Sequence, residues 1–214
     1  MRLLLIACCL LLLLPMSFAR AHPHVWADIT VDILFDGAGN VTGLRQTWLF
    51  DDYYTAFALE GMERGADGAP IQAALDEIMT VNLEHLKEYG YFTEGRDGDE
   101  TLTVTAIEDR SSRMEGNRLE MTFTTRFDRP VPAQGDRFSY GIFDPTYYVD
   151  MLHAEVEDPV RLTGAPDGCS YRLIAPTPTP AAIAEAAMLD ATQTGPTGLG
   201  RVFAENVRLL CPGE

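Results

Sequence analysis

The residue pattern predicts an α+β protein: mainly an antiparallel β-sheet or sandwich, with one long helix packed on it and a C-terminal helical flap. Three observations carry this. Short runs of period-two alternation recur between turn-forming clusters, and the clearest helical periodicity falls in a single stretch after Pro70. Beyond residue 175 the composition shifts to alternating proline and threonine, then to alanine-rich sequence.

In chain order, residues 1–21 read as a secretory signal peptide. Arg2 forms a short positive region, Leu3 to Leu14 an apolar run, and Ala19-Arg20-Ala21 an A-x-A cleavage site. Leu5-Ile6-Ala7-Cys8 resembles a lipoprotein box, but most of the apolar run follows it, which argues against lipidation. Cleavage after Ala21 leaves 193 of the 214 residues and makes His22 the new N-terminus. A free amine and the imidazoles of His22 and His24 then lie within three residues, in a chain with only four histidines. Three nitrogen donors of this softness point to a transition metal. Pro23 has no N–H to lose, so a square-planar wrap through deprotonated backbone amides is disfavoured. What remains is chelation by the amine and ring of His22 with His24 as a third nitrogen. The competing reading is a frayed polar terminus.

Ala27 to Phe35 alternates, with Ile29, Val31, Ile33 and Phe35 on one face. The turn formers Asp36 to Asn40 lead into Val41 to Phe50, with Leu44, Gln46, Trp48 and Phe50 aligned, so the two runs make a hairpin. Asp51 or Asp52 would cap a short helix carrying Tyr53 and Phe57. Gly61 to Pro70 is a loop that lacks the spaced carboxylates and terminal bidentate glutamate of a calcium loop. Pro70 opens the long helix, whose stripe is Ile71, Leu75, Ile78, Asn82, Leu86 and Tyr89, with His85 at its border. Strand patterns return at Tyr91–Thr93, Leu102–Ile107, Leu119–Thr125 and Phe138–Phe143, separated by polar turns at 94–100 and 111–117. Pro130 and Pro132 are expected to end the third of these.

Phe143-Asp144-Pro145-Thr146-Tyr147-Tyr148-Val149-Asp150-Met151 places two carboxylates and two tyrosines around a proline, with His153 three residues after Asp150. Two readings stand side by side. Asp144 or Asp150 would add oxygen to the nitrogens of His22 and His24, with His153 as a fourth ligand. Alternatively, Asp144 caps the turn that it begins, the tyrosines are core aromatics and His153 is a plain strand residue. The organisation expected is a signal peptide over 1–21, an α+β domain over 22–175, and over 176–214 a stiff linker, a helix and a returning segment. Cys169 and Cys211 form an even pair, for which a disulfide is the default in an oxidising compartment. It would fasten the returning segment and stabilise the fold by roughly 3 to 4 kcal/mol. Two thiolate metal ligands are the alternative.

The signal sequence, His-Pro-His-Val-Trp from His22, Trp48-Leu49-Phe50-Asp51, Asn82-Leu83, Glu88-Tyr89-Gly90-Tyr91-Phe92-Thr93 and the Phe143–Met151 run together resemble the bacterial DUF1007 family of exported proteins. Members are often labelled periplasmic components of an uncharacterised ABC-type transport system. The resemblance implies periplasmic metal binding or delivery beside nickel/cobalt-type or zinc-type permeases, with His22, His24, Asp51, Asp144 and Asp150 as candidate positions. The acidic loop that relatives often carry before the long helix is not kept here.

Charge narrows the partners. With the signal removed, 14 basic residues face 32 acidic ones, which argues against nucleic acid or an anionic membrane surface. No later apolar run is long enough to span a bilayer, so an integral membrane protein is not expected. The function expected is that of a periplasmic protein binding a divalent transition metal (zinc, nickel, cobalt or copper) and serving a membrane metal transporter or permease. The alternatives are a copper-dependent oxidative enzyme built on the histidine chelate beside Tyr147 or Tyr148, and a non-metal accessory module of an envelope complex. No serine-histidine-aspartate arrangement, phosphate loop or zinc-protease motif favours a hydrolase or nucleotide enzyme.

Overall fold

The computed structural model describes residues 23–190 and 193–213. The signal segment and His22 lie outside the described residues. The architecture is α+β, built on two sheets. A six-stranded sheet runs in the order β5 (Val104–Glu115), β6 (Arg118–Pro132), β2 (Asn40–Phe50), β1 (Val25–Phe35), β8 (Val149–His153). The sixth strand, β9 (Val160–Thr163), continues beyond β8 along the same edge of β1. A five-stranded sheet has the order β10 (Ser170–Ile174), β11 (Asn206–Leu210), β7 (Phe138–Ile142), β3 (Thr93–Asp97), β4 (Glu100–Leu102). All pairings are antiparallel except those of β1 with β8 and β9.

The β1–β2 hairpin forms as its alternation predicts. Val25, Ala27, Ile29, Val31 and Ile33 turn inward with Leu44, Gln46, Trp48 and Phe50, and all are buried. Asp36 closes the turn by accepting from the N–H groups of Ala38 and Asn40 at 2.9 and 2.8 Å. Gln46 is the polar member of this face, and its needs are met. It donates to Thr93 Oγ1 at 2.8 Å and accepts from the Trp48 indole at 3.1 Å, joining the two sheets across the core.

Asp51 caps α1 (Asp52–Ala58), and α2 (Gln72–Leu86) buries Ala74, Leu75, Ile78, Met79 and Leu83. One apolar cluster unites the inner face of the six-stranded sheet, α2 and the second sheet. The second sheet reaches it through Phe138, Tyr140, Ile142, Val207 and Leu209.

Four expectations are corrected. Residues 111–115, read as part of a polar turn, are the end of β5 paired with β6, and only 116–117 turn. Tyr91 is not in a strand: Gly90, Tyr91 and Phe92 form a left-handed turn with φ of 60, 56 and 54°. The strand begins at Thr93 and takes in residues 94–97, which read as a polar turn because Glu94, Arg96 and Asp97 are charged. Arg96 is paired with Glu94, and Asp97 with Arg137 and Arg129. Finally, β6 continues through Pro130 to Pro132. Its partner on β2 steps from Gly43 at Arg126 to Val41 at Val131, so Pro130 sits in a bulge where no ladder N–H is required.

The tail adds α3 (Pro180–Met188) and α4 (Leu199–Phe203) before β11. Strand β11 lies between β10 and β7, so the returning segment is an interior strand of the second sheet, and Val207 and Leu209 are core residues. The Cys169–Cys211 disulfide is present, with an S–S distance of 2.04 Å.

Candidate metal centre

Four of the sequence-predicted residues gather at one end of the six-stranded sheet, where β1 and β8 begin and β2 ends. His24 precedes β1 directly, and its N–H donates to the Tyr148 carbonyl at 3.0 Å. Its ring lies 5.1 Å from the Tyr148 ring, tilted by 43°. The parallel register then pairs Val25 with Val149 and Trp26 with Asp150. On the other side of β1, Asp51 extends the β1–β2 ladder: its N–H donates to the Trp26 carbonyl at 2.9 Å, and its Oδ2 accepts from the Trp26 N–H at 2.8 Å. Asp51, Trp26 and Asp150 therefore form one row across three strands, two residues further in than His24 and Tyr148. Neighbouring strands are about 4.8 Å apart, which sets Asp51 and Asp150 roughly 10 Å apart at Cα.

The carboxylates differ in their remaining capacity. Asp144 is buried, and both oxygens are fully engaged. Oδ1 accepts from the Thr146 N–H and hydroxyl, each at 2.8 Å. Oδ2 accepts from the Tyr148 and Val149 N–H groups at 2.9 and 3.0 Å. A carboxylate has about four lone-pair positions, and here all four are used to cap the turn. Asp51 spends Oδ1 on the N–H groups of Tyr53 and Tyr54 and one position of Oδ2 on Trp26. Asp150 is half-buried and in no ion pair among the described residues. Burial raises its pKa first and the nearby Glu205 charge second, while a bond from the Met151 N–H works the other way.

His153 belongs elsewhere. The register sets it opposite Ile29, five residues along β1 from His24, or roughly 16 Å. It also faces the inner side of the sheet. Its side chain is 1% exposed, with Nδ1 2.9 Å from Glu205 and Nε2 3.0 Å from the Tyr140 hydroxyl. An ionised Glu205 only accepts, so Nδ1 carries the proton and Nε2 receives the Tyr140 O–H. Both ring nitrogens are thus in use. Burial pushes Glu205 up, but the side-chain and backbone bonds from His153 outweigh it and hold the carboxyl below its usual range. Burial raises Tyr140 well above the phenolic value, so it stays a donor.

Glu205 and Tyr140 were not found from sequence. Glu205 is 52 residues from His153, and no local pattern marks it. Its role follows from the outer edge of β8, where the N–H groups of Val149, Met151 and His153 meet the carboxylates of Asp144, Asp150 and Glu205 in turn. Among the described residues no group of three His, Cys, Asp or Glu side chains is placed to hold a metal ion. His22, which the chelate requires, is outside them. Cys169 and Cys211 are joined to each other.

The family model described as "Protein of unknown function (DUF1007)" matches residues 7–211. The chain belongs to the DUF1007 family. A relative from Haemophilus influenzae, described as an uncharacterized protein, is 27% identical over 205 residues, covering 94% of this chain and 97% of its own. No solved structure matches the chain. The match takes in His24, Asp51 and the whole 143–151 turn, so the sheet end lies within the family region.

Proposed function

We propose that this protein is a periplasmic transition-metal-binding protein of the zinc, nickel, cobalt or copper class that serves a membrane metal transporter. The ion is held by the N-terminus left after cleavage at Ala21: the amine and ring of His22 with the ring of His24. The observation that carries the reading is the anchoring of His24, whose backbone is bonded to Tyr148 and whose ring lies against the Tyr148 ring. A frayed tail would hold no fixed donor, whereas an anchored His24 supplies one at low entropic cost. Of the nearby carboxylates, Asp150 has the most free capacity to add an oxygen, and Asp51 has one position left. The donor set is borderline-soft nitrogen with a hard oxygen, which suits any of the four metals. No helix of the described residues is long and apolar enough to cross a membrane, which accords with a partner that supplies the spanning part.

The test is the intact mass and metal content of protein purified from the periplasm, beside a variant that retains Ala21 ahead of His22. A mass beginning at His22, with one metal per chain that is lost when Ala21 is kept, supports the chelate. Metal retained with Ala21 in place moves the site to side chains alone, and no metal in either form removes the reading in favour of an accessory module. The tilted contact of Tyr148 with His24 favours one second reading, a copper-dependent oxidative enzyme. Oxygen consumption with an added reductant, abolished by His24→Ala, distinguishes it.

A further inference from the structure

An apolar pocket of about 160 Å³ lies on the inner side of the same sheet end, between the sheet and α2. Val25 and Val149, the residues that follow His24 and Tyr148, form part of its floor, with Trp48, Phe50 and Met121 beside them and Phe92 as a wall. Its polar groups are Asn82, Tyr54 and His85. Asn82 Nδ2 donates to the Tyr54 hydroxyl at 3.2 Å and lies 3.5 Å from Met121 Sδ, and His85 is solvent-exposed. The lining contains no carboxylate, lysine or arginine.

Two features separate this space from ordinary loose packing. Tyr91 and Phe92 hold φ of 56 and 54°, a left-handed backbone that costs any residue with a side chain. The outcome of that strain is the Phe92 ring set nearly parallel to Trp48, 14° between planes with centroids 6.1 Å apart. Second, an engineered apolar cavity of about 150 Å³ takes up benzene, so the volume here is that of a small ring.

We propose that this pocket binds a small uncharged molecule, an aromatic ring or short apolar chain carrying one hydrogen-bonding group. The apolar part packs among Trp48, Phe50, Phe92 and Val149, and the polar group meets Asn82, Tyr54 and His85. The absence of lysine and arginine from the lining, on a chain of formal charge −16, selects against anions such as carboxylates. The site is separate from the metal reading and is tested without metal, so the failure of either leaves the other standing.

The experiment is a ¹H–¹⁵N NMR titration of metal-free protein with benzyl alcohol, toluene and benzoate. The reporter is the Trp48 indole N–H, which is bonded to Gln46 and is told apart from Trp26 with a Trp26→Phe variant. Benzyl alcohol is expected to shift it saturably, with benzoate at least about tenfold weaker. Asn82→Leu is expected to bring benzyl alcohol down to the affinity of toluene, a loss of roughly fivefold. Filling the pocket with Leu86→Trp, or with Val149→Phe should that variant fail to fold, is expected to abolish the saturable shift. The proposal is overturned if the wild-type Trp48 signal shows no saturable response to any probe up to its solubility. It is equally overturned if benzoate binds as well as benzyl alcohol, if Asn82→Leu leaves the preference for benzyl alcohol intact, or if binding survives the filled variant.

Discussion

Asp144, Asp97 and Glu205 show how a single carboxylate takes its role from the donors around it. Asp144 sits in the run offered as a source of oxygen ligands, yet its four acceptor positions hold the turn. Asp97 is held below its ordinary value of 3.8, first by the hydrogen bond from Arg137, with the charges of Arg137 and Arg129 adding to it against a burial penalty. A depressed folded pKa stabilises the fold above the unfolded value and loses that contribution as pH falls through the folded one. Asp97→Asn is therefore expected to cost about 1 kcal/mol near neutral pH, a figure discounted for the exposure of the arginines, and to cost nothing in strong acid. Urea unfolding at a series of pH values checks it. Glu205→Ala leaves the His153 N–H and buried Nδ1–H without their acceptor, an expected loss of about 1–3 kcal/mol by thermal melting. Metal stoichiometry should be unchanged, because His153 lies on the inner face, away from His24.

Strand β8 is short, and its position on the edge of the six-stranded sheet explains the cluster of acids around it. An open edge invites pairing with another chain, and charged groups on its N–H row block that. What aims the turn before β8 is α4. A Cβ on Gly200 would come within 1.8 Å of the Asp144 carbonyl, and the Gly198 and Gly200 N–H groups donate to the Pro145 carbonyl at 2.9 and 3.2 Å. Gly200→Ala is expected to push the turn away, lowering stability by about 1–3 kcal/mol and weakening any metal bound beside Tyr148. Melting and metal titration of the same variant read both effects. In α2, Ile78→Ala removes a fully packed side chain and should cost about 2–5 kcal/mol in denaturant unfolding. The stripe containing Ile78 was legible because helical periodicity is local, whereas the Gly90–Phe92 turn was not, since nothing in Gly-Tyr-Phe announces three consecutive left-handed residues.

For the molecule as a whole, the disulfide and β11 bind the last residues into the second sheet. The 42-residue separation of Cys169 and Cys211 corresponds to roughly 3–4 kcal/mol of chain-entropy stabilisation. Reduction, or Cys169→Ala with Cys211→Ala, should lower the melting temperature by that equivalent. Hydrogen exchange should show the loss of protection greatest in β10 and β11, because β11 is the bridge between β10 and β7. Some of the acidic residues are paired locally with arginines, as at Asp32–Arg161 and Glu120–Arg113, but 32 acidic against 16 basic residues leave a formal charge of −16 unpaired.

The β1–β2 hairpin, the Asp51 cap, the α2 stripe, the cysteine pair and the α+β architecture are written in local periodicity and in residues whose chemistry acts on near neighbours. That is why they are readable without coordinates. The candidate donors His22, His24, Asp51, Asp144, Asp150 and His153 are readable as a set in the same way, but not their sorting. Only the parallel register of β8 on β1 brings Tyr148 to His24 and Asp150 to Trp26, while turning His153 to the opposite face and into the arms of Glu205 and Tyr140. Register between strands more than a hundred residues apart depends on how two sheets and α4 pack together, and no local stretch of sequence encodes that sum.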